Sequence, residues 1–170
     1  MDENEEIPPP VAGGRIAAVL LLALLLNLIP LHGWAASARP DVVAVAVVYW
    51  SVHQAHRIGL LPVWVLGLVM DVADASLFGQ HALAYCAAAV AAMFLHRRIR
   101  MFSMGYQIAH VLAVLMGQQM VQLAVRLADD SGPPNILYFV SSLTGAAAWP
   151  LAVGVLALVT RQRGRPHPVG

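Results

Sequence analysis

The chain has 170 residues, of which 59% are hydrophobic and 11% are charged, and its formal net charge is +1. A soluble domain carries about 25% charged residues, so this composition excludes an ordinary soluble enzyme and leaves apolar surface that must face lipid. All 10 basic residues are arginine, and they fall in short connecting stretches rather than on one broad patch, which argues against nucleic-acid binding.

The chain begins with an acidic, proline-rich segment. Residues 1–14 contain little that can be buried in a core, and we predict a disordered cytoplasmic tail. An apolar run over about residues 16–36 follows, long enough for a membrane span, which needs about 20 residues. Small residues at positions 35–38 also fit a signal-peptide cleavage site, but the acidic start and the later apolar runs favour a retained helix.

The next two apolar runs are shorter than an ideal span. They cover residues 42–52 and 58–72, and a polar stretch separates them. Pro62 interrupts the second run. We therefore expect two short or broken helices, one of which can enter the membrane without crossing it.

The rest of the chain contains three further runs separated by loop signals. Residues 71–80 and 129–135 are acidic, glycine-containing loops. The apolar runs cover residues 81–96, 103–127 and 136–160, with a kink expected at Pro150. Residues 15–160 thus predict a single all-α integral membrane domain of about six transmembrane helices, followed by a short basic cytoplasmic tail at residues 161–170.

Arginine is distributed unequally between the two ends of this predicted bundle. When the connections are assigned alternately to the two sides, one side receives only Arg39 and Arg126. The other side receives Arg15, Arg57, Arg97, Arg98, Arg100, Arg161, Arg163 and Arg165. Because cytoplasmic loops are enriched in arginine and lysine, this bias predicts an even number of spans and two cytoplasmic termini.

The sequence contains no familiar catalytic signature, such as a Gly-rich phosphate loop, a GxSxG elbow or an HExxH helix. His53 and His56 share a helix face but lack a third ligand at suitable spacing, so we interpret them as interfacial residues. Cys86 is interpreted as a packing residue, and Asp71 with Asp74 as solvated loop carboxylates. We therefore predict no catalytic residue, no metal and no cofactor.

The fifth predicted span carries a polar stripe. Its members lie on one helix face: Gln107, His110, Gln118, Gln122 and Arg126. Because unpaired polar groups are costly in lipid, these side chains are expected to face protein or a watery cavity. Hydrogen bonding within the bundle and a partner-binding or ligand cavity both fit this pattern.

The fourth predicted span repeats alanine at helical spacing. Ala84, Ala88 and Ala92 recur at four-residue intervals, with Ala87 and Ala91 beside them. Small residues at this spacing let two helices approach closely. The pattern predicts helix packing, either within the molecule or with a partner helix.

A set of short segments has a characteristic order along the chain. They are RPD at residues 39–41, YWSVHQ at 49–54, RIG at 57–59, LGLVMD at 66–71, LFGQHALAY at 77–85 and HRR at 96–98. Their order and spacing resemble the family of the bacterial rod shape-determining protein MreD, over about residues 39–126. The acidic, proline-rich start lies outside the resemblance.

The resemblance implies a non-catalytic scaffold of the cell-elongation machinery in the bacterial inner membrane. Such a scaffold maintains cell shape and organises peptidoglycan synthesis. It implies direct binding to MreC, in one complex with the actin-like MreB, the glycosyltransferase RodA and a class B penicillin-binding protein. It also implies a fold similar to the substrate-binding components of energy-coupling-factor transporters, which makes a subunit of a small-molecule, vitamin-type transporter the alternative function.

The resemblance also marks individual residues. Gly67 would permit close helix approach, Asp71 would orient the outward loop, and Gly79 would allow a tight turn, with His81 as the fourth motif residue. A basic set at the opposite end is expected to contact MreB or anionic membrane lipid, with lipid as the simpler explanation. This set consists of Arg57, Arg97, Arg98 and Arg100.

Overall fold

The computed structural model describes residues 13–33, 38–55, 57–129 and 136–160, and within them it contains helices and no strand. Nearly all of the two predicted tails, and of the loop at 129–135, lies outside the described residues. The α-helices are α1 (Gly13–Asn27), α2 (Val42–His53), α3 (Leu60–Ala73), α4 (Gln80–Met101), α5 (Met104–Ala128), α6 (Val140–Ala147) and α7 (Trp149–Thr160). A 3-10 turn, Ile136–Phe139, precedes α6.

Two of these helices are long and apolar enough to cross a membrane alone. They are α4, with 22 residues, and α5, with 25. Helices α6 and α7 meet the same test as a pair that is bent by 47°. The bend falls at Ala148, just before Pro150, which occupies the second position of α7 where a missing N–H is tolerated.

The first three helices are shorter than a full span. Helices α1, α2 and α3 have 15, 12 and 14 residues, against the about 20 that a bilayer core requires. Helix α1 ends at Asn27, before the end of the apolar run predicted for it. The described residues thus contain two helices, or three spans if the bent pair counts as one, that are long and apolar enough to cross a membrane, and the number of six remains a prediction.

Helix α2 forms the centre of the molecule. Residues 43–52 are all buried, and the helix is apolar on every face, as expected for a helix that other helices surround. Helix α4 packs against α2, α3 and α5, while α1 and α7 also contact α2. This central position explains how a helix of only 12 residues is stabilised.

The exterior of the helices is apolar. Leu21 on α1 is 60% exposed, Leu61 on α3 is 71% exposed, Phe94 on α4 is 80% exposed and Leu151 on α7 is 73% exposed. Large exposed side chains of this kind on several helices form a surface that suits lipid rather than water.

Described residues of the α1–α2 and α3–α4 connections and of the 3-10 turn before α6 line one cavity, described below. We call this the arginine-poor end, because the sequence places only Arg39 and Arg126 there. The exposed residues Arg57, Arg97, Arg98 and Arg100 lie in or beside the other connections, α2–α3 and α4–α5.

Candidate functional site

A polar cavity of about 480 Å³ lies at the arginine-poor end. Its wall combines the α1–α2 connection, the ends of α3 and α4, the C-terminal half of α5 and the start of α6. Helix α5 contributes Gln118, Gln119, Gln122 and Arg126. The other polar side chains of the wall are Asn27, Arg39, Asp41, Asp74, His81, Tyr138, Ser141 and Ser142.

Asp41 connects four helices at this cavity. Its Oδ1 accepts hydrogen bonds from the Ala44 backbone N–H (3.0 Å), which caps α2, and from Asn27 Nδ2 of α1 (2.9 Å). The Tyr85 hydroxyl of α4 donates to the same oxygen (3.1 Å). Gln118 Nε2 of α5 donates to Oδ2 (3.3 Å). Because every one of these donors comes from a different helix, the carboxylate fixes α1, α2, α4 and α5 relative to one another.

In the sequence, Asp41 stood out only as part of the RPD segment at residues 39–41. Two local signals could have identified it. Asp41 directly precedes the apolar run of α2, which is the N-cap position that aspartate favours. Asn27 is a lone polar residue at the end of an apolar helix, so it needed a partner.

Asp71 organises the turn between α3 and α4. Its carboxylate accepts hydrogen bonds from the backbone N–H groups of Gly79 (2.8 Å) and His81 (2.7 Å) and from the Ser76 hydroxyl (3.1 Å). The His81 ring Nδ1 lies 2.9 Å from the same carboxylate. Asp71 is 1% exposed, so the interpretation of it as a solvated loop residue is wrong: the turn folds back over it and supplies its donors.

Gly67 and Gly79 are placed where a side chain is excluded or strained. A Cβ on Gly67 would lie 2.3 Å from Ala82 Cα, so the α3 and α4 backbones are in direct contact at this crossing. Gly79 has a φ of +99°, in the left-handed region that glycine adopts without steric cost. The four motif residues, which are Gly67, Asp71, Gly79 and His81, thus lie together at the junction of α3 and α4, beside the cavity.

The polar stripe of α5 is divided between two environments. Gln118, Gln122 and Arg126 line the cavity. Gln107 instead accepts a hydrogen bond from Trp149 Nε1 of α7 (3.2 Å) and donates one to the Phe102 carbonyl (3.2 Å). His110 turns back to its own helix, with its Nδ1 2.7 Å from the Tyr106 carbonyl. The stripe therefore serves both bundle hydrogen bonding and a cavity wall.

A second network, which the sequence reasoning missed, joins α5 to α6. Gln119 Nε2 donates to the Tyr138 carbonyl (2.9 Å), and the Ser142 hydroxyl donates to Gln119 Oε1. The Tyr138 hydroxyl donates to Gln122 Oε1. Gln119 lies one position away from the polar stripe, so the four-residue spacing did not include it. The only sequence sign of its role was that two glutamines are adjacent in an apolar helix.

Within the described ranges, no carboxylate lies within 4.0 Å of a side-chain nitrogen of either arginine of the cavity. Arg39 donates from Nη1 to the Ile29 carbonyl (2.7 Å). Arg126 Nε is buried and has no hydrogen-bond partner among the described residues. The His81 ring lies beside two carboxylates instead, with Nδ1 2.9 Å from Asp71 Oδ1 and Nε2 3.7 Å from Asp74 Oδ2.

The remaining predicted residues lie away from the cavity. His53 Nδ1 is 2.9 Å from the Tyr49 carbonyl, whereas His56 lies outside the described residues. The described ranges hold no group of three metal-ligating side chains. Cys86 is half-buried on α4.

The alanines of α4 are divided between the core and the surface. Ala84, Ala88 and Ala92 are buried inside the bundle. The neighbouring face of α4 forms, with α5, a second, apolar groove of about 320 Å³. We call it the alanine groove, and its lining residues are Ala87, Ala88, Ala91, Leu95, Ala113, Val114, Gly117 and Gln118.

Comparison with known proteins gives one match. A family model described as rod shape-determining protein MreD matches residues 14–161, which include both polar networks and the alanine groove. No curated protein and no solved structure matches the chain. The likeness to energy-coupling-factor transporter components therefore remains a prediction.

Proposed function

The chain belongs to the family of rod shape-determining protein MreD, and from this premise we propose that it is a non-catalytic scaffold of the cell-elongation machinery. The observation that carries the proposal is the family match over residues 14–161. In this proposal the protein lies in the inner membrane, binds MreC directly and helps to organise peptidoglycan synthesis. MreB, RodA and a class B penicillin-binding protein are the further members of the complex.

The internal hydrogen bonds support a scaffold rather than a catalyst. Asp41 and Asp71 are both committed to several donors from their own chain. Gln119 is committed through both ends of its amide, to the 3-10 turn at Tyr138 and to α6 at Ser142. Buried polar networks that are satisfied in this way rigidify a structure, and a rigid surface suits the docking of partners.

We propose that the transmembrane helix of MreC docks in the alanine groove. The groove opens on the exterior of α4 and α5, where Ala87, Ala113 and Gly117 are exposed. Small residues on a membrane-facing surface allow a second helix to approach closely, and van der Waals packing then drives association in lipid. A Cβ built on Gly117 meets no atom within 4 Å, so the chain itself leaves this space unfilled.

The test is detergent co-purification of the tagged protein with MreC from the same organism. Wild type should co-elute with MreC, and Gly117→Leu should lose it because a larger side chain fills the groove at a position where a Cβ meets no atom within 4 Å. Gly154→Leu on α7 is the matched control, since a Cβ there also meets nothing within 4 Å, and it should retain MreC. Wild type that elutes without MreC contradicts the scaffold function, whereas retention by Gly117→Leu contradicts only the assignment of the groove.

The arginines at the other end support the proposed orientation. Arg57, Arg97, Arg98 and Arg100 are all exposed, and each basic residue near an anionic leaflet contributes about 1 kcal/mol of membrane attraction. We propose that this end faces the cytoplasm, with both termini, and that it contacts anionic lipid or MreB. The arginine-poor end then opens to the outer side of the inner membrane.

A further inference from the structure

The two arginines that depart from the charge bias share one location. Eight of the ten arginines belong to the other end of the bundle or to the termini, and arginine is normally depleted from outer connections. The two exceptions, Arg39 and Arg126, come from separate connections 87 positions apart in the sequence, and both line the polar cavity. Their shared position needs a physical reason beyond membrane orientation.

Hydrogen-bond donors are in excess on this side of the cavity. Each guanidinium has five N–H donors, and the described contacts use one of them on Arg39, for the Ile29 carbonyl. Arg126 Nε is buried and has no partner in the part of the chain that the structure describes. The amide oxygen of Gln122 is occupied by the Tyr138 hydroxyl, and its Nε2 has no acceptor among the described residues. The buried Arg126 Nε therefore lacks an acceptor among the described residues, and the other N–H groups of the two arginines are available to a ligand in the cavity.

The carboxylates of the cavity wall, Asp41 and Asp74, do not act as acceptors for the two arginines among the described contacts. Asp41 already accepts four hydrogen bonds from its own chain. Asp74 lies near His81, with 3.7 Å between its Oδ2 and the ring Nε2. Among the described residues, neither carboxylate lies within 4.0 Å of an arginine nitrogen. An external oxyanion is therefore the complement of the unsatisfied donors.

We propose that the cavity binds a phosphate-bearing ligand, held by Arg39 and Arg126 with the Gln122 amide as a further donor. Arginine matches the geometry of phosphate oxygens by paired N–H donors. The cavity's volume of about 480 Å³ accommodates a head group or a small phosphate ester. In the orientation proposed above this end faces the outer leaflet, so the source is a lipid head group or a free phosphate ester. The proposal does not depend on binding to MreC.

The test is native mass spectrometry of the detergent-purified protein, titrated with phosphatidylglycerol and, separately, with glycerol 3-phosphate. Wild type should retain one molecule of a phosphate probe. Arg126→Gln should weaken this binding about tenfold or more, as expected for the loss of a charge-assisted hydrogen bond. Arg98→Gln, the same change on an exposed residue at the other end, should bind as wild type does.

A second cavity variant and the comparison of the two probes make the binding experiment conclusive. Arg126→Gln removes an Nε that has no described partner, so the variant should fold, and Arg39→Gln is a second variant with the same expected loss. Binding of phosphatidylglycerol alone identifies a lipid source, and binding of glycerol 3-phosphate as well identifies the phosphate ester as sufficient. Failure of both probes to bind wild type, or equal binding by wild type and both cavity variants, overturns the proposal.

Discussion

Asp41 and Asp71 show how a single carboxylate determines local structure in this protein. Each lies where a connection meets a helix, and each accepts hydrogen bonds from backbone and side-chain donors of neighbouring segments. In an apolar environment an unmet donor costs about 1–3 kcal/mol. These two residues therefore stabilise the turns and helix starts at the arginine-poor end.

Gly67 is the residue at which the helix packing is tightest. Gly67→Ala should destabilise the protein by about 2 kcal/mol or more, because the new methyl group meets the α4 backbone and overpacking costs about 1–3 kcal/mol. The measurement is the temperature at which detergent-solubilised protein loses its monodisperse peak on size-exclusion chromatography. Gly105→Ala is the control, since a Cβ there meets nothing within 4 Å and should leave that temperature equal or higher. Equal temperatures for Gly67→Ala and wild type would show that α3 and α4 are not in close contact.

At the scale of elements, Asp41 joins helices that are too short to be independent. Asp41→Ala should lower stability by about 2–4 kcal/mol, because donors of α1, α2, α4 and α5 lose their acceptor together. The same thermal assay measures the effect. Asp74→Ala is the matched control, because Asp74 is 41% exposed and its contact with His81 is long. A smaller loss for Asp41→Ala than for Asp74→Ala would argue against the four-helix connection.

The elements also show what sequence patterns can and cannot predict. The apolar runs at residues 81–96 and 103–127 predicted α4 and α5, because a long apolar run in lipid has few alternatives to a helix, but α4 continues beyond its run to Met101. The apolar run at about residues 16–36 overestimated the length of α1. This helix ends at Asn27, whose side chain donates a hydrogen bond to Asp41. Spacing on α5 predicted that Gln118 and Gln122 share a face, but not which half of the stripe meets the cavity, since that depends on the position of α6 and α7.

The cavity, too, could not be predicted from local sequence patterns. Apart from the α5 residues, its lining residues come from the α1–α2 connection, from the α3–α4 turn and from the start of α6. No local pattern relates Arg39 to Arg126 or Asp41 to Tyr85, because these residues meet only after the helices have packed. The arginine bias did separate Arg39 and Arg126 from the other eight, and that was the one sequence signal pointing to their shared location.

At the scale of the whole molecule, the two ends and the lipid-facing side carry different features. The arginine-poor end contains the cavity, the opposite end presents exposed arginines, and the exterior of α4 and α5 carries the alanine groove. The proposals assign these regions to a phosphate-bearing ligand, to the cytoplasmic leaflet and to MreC. The cavity and the alanine groove share only Gln118 among their lining residues, and the variants that test each region lie at other positions, so each assignment can fail without the others.

The docking of MreC in the alanine groove is tested most directly by photo-crosslinking in living cells of the source organism. A photoreactive amino acid replaces Ala113, which is exposed in the groove, or Leu151, which is exposed on α7 away from it. We predict a covalent adduct with MreC from position 113 and none from position 151. An adduct from position 151 alone, or no adduct from either position while both variants accumulate in the membrane, would contradict the account.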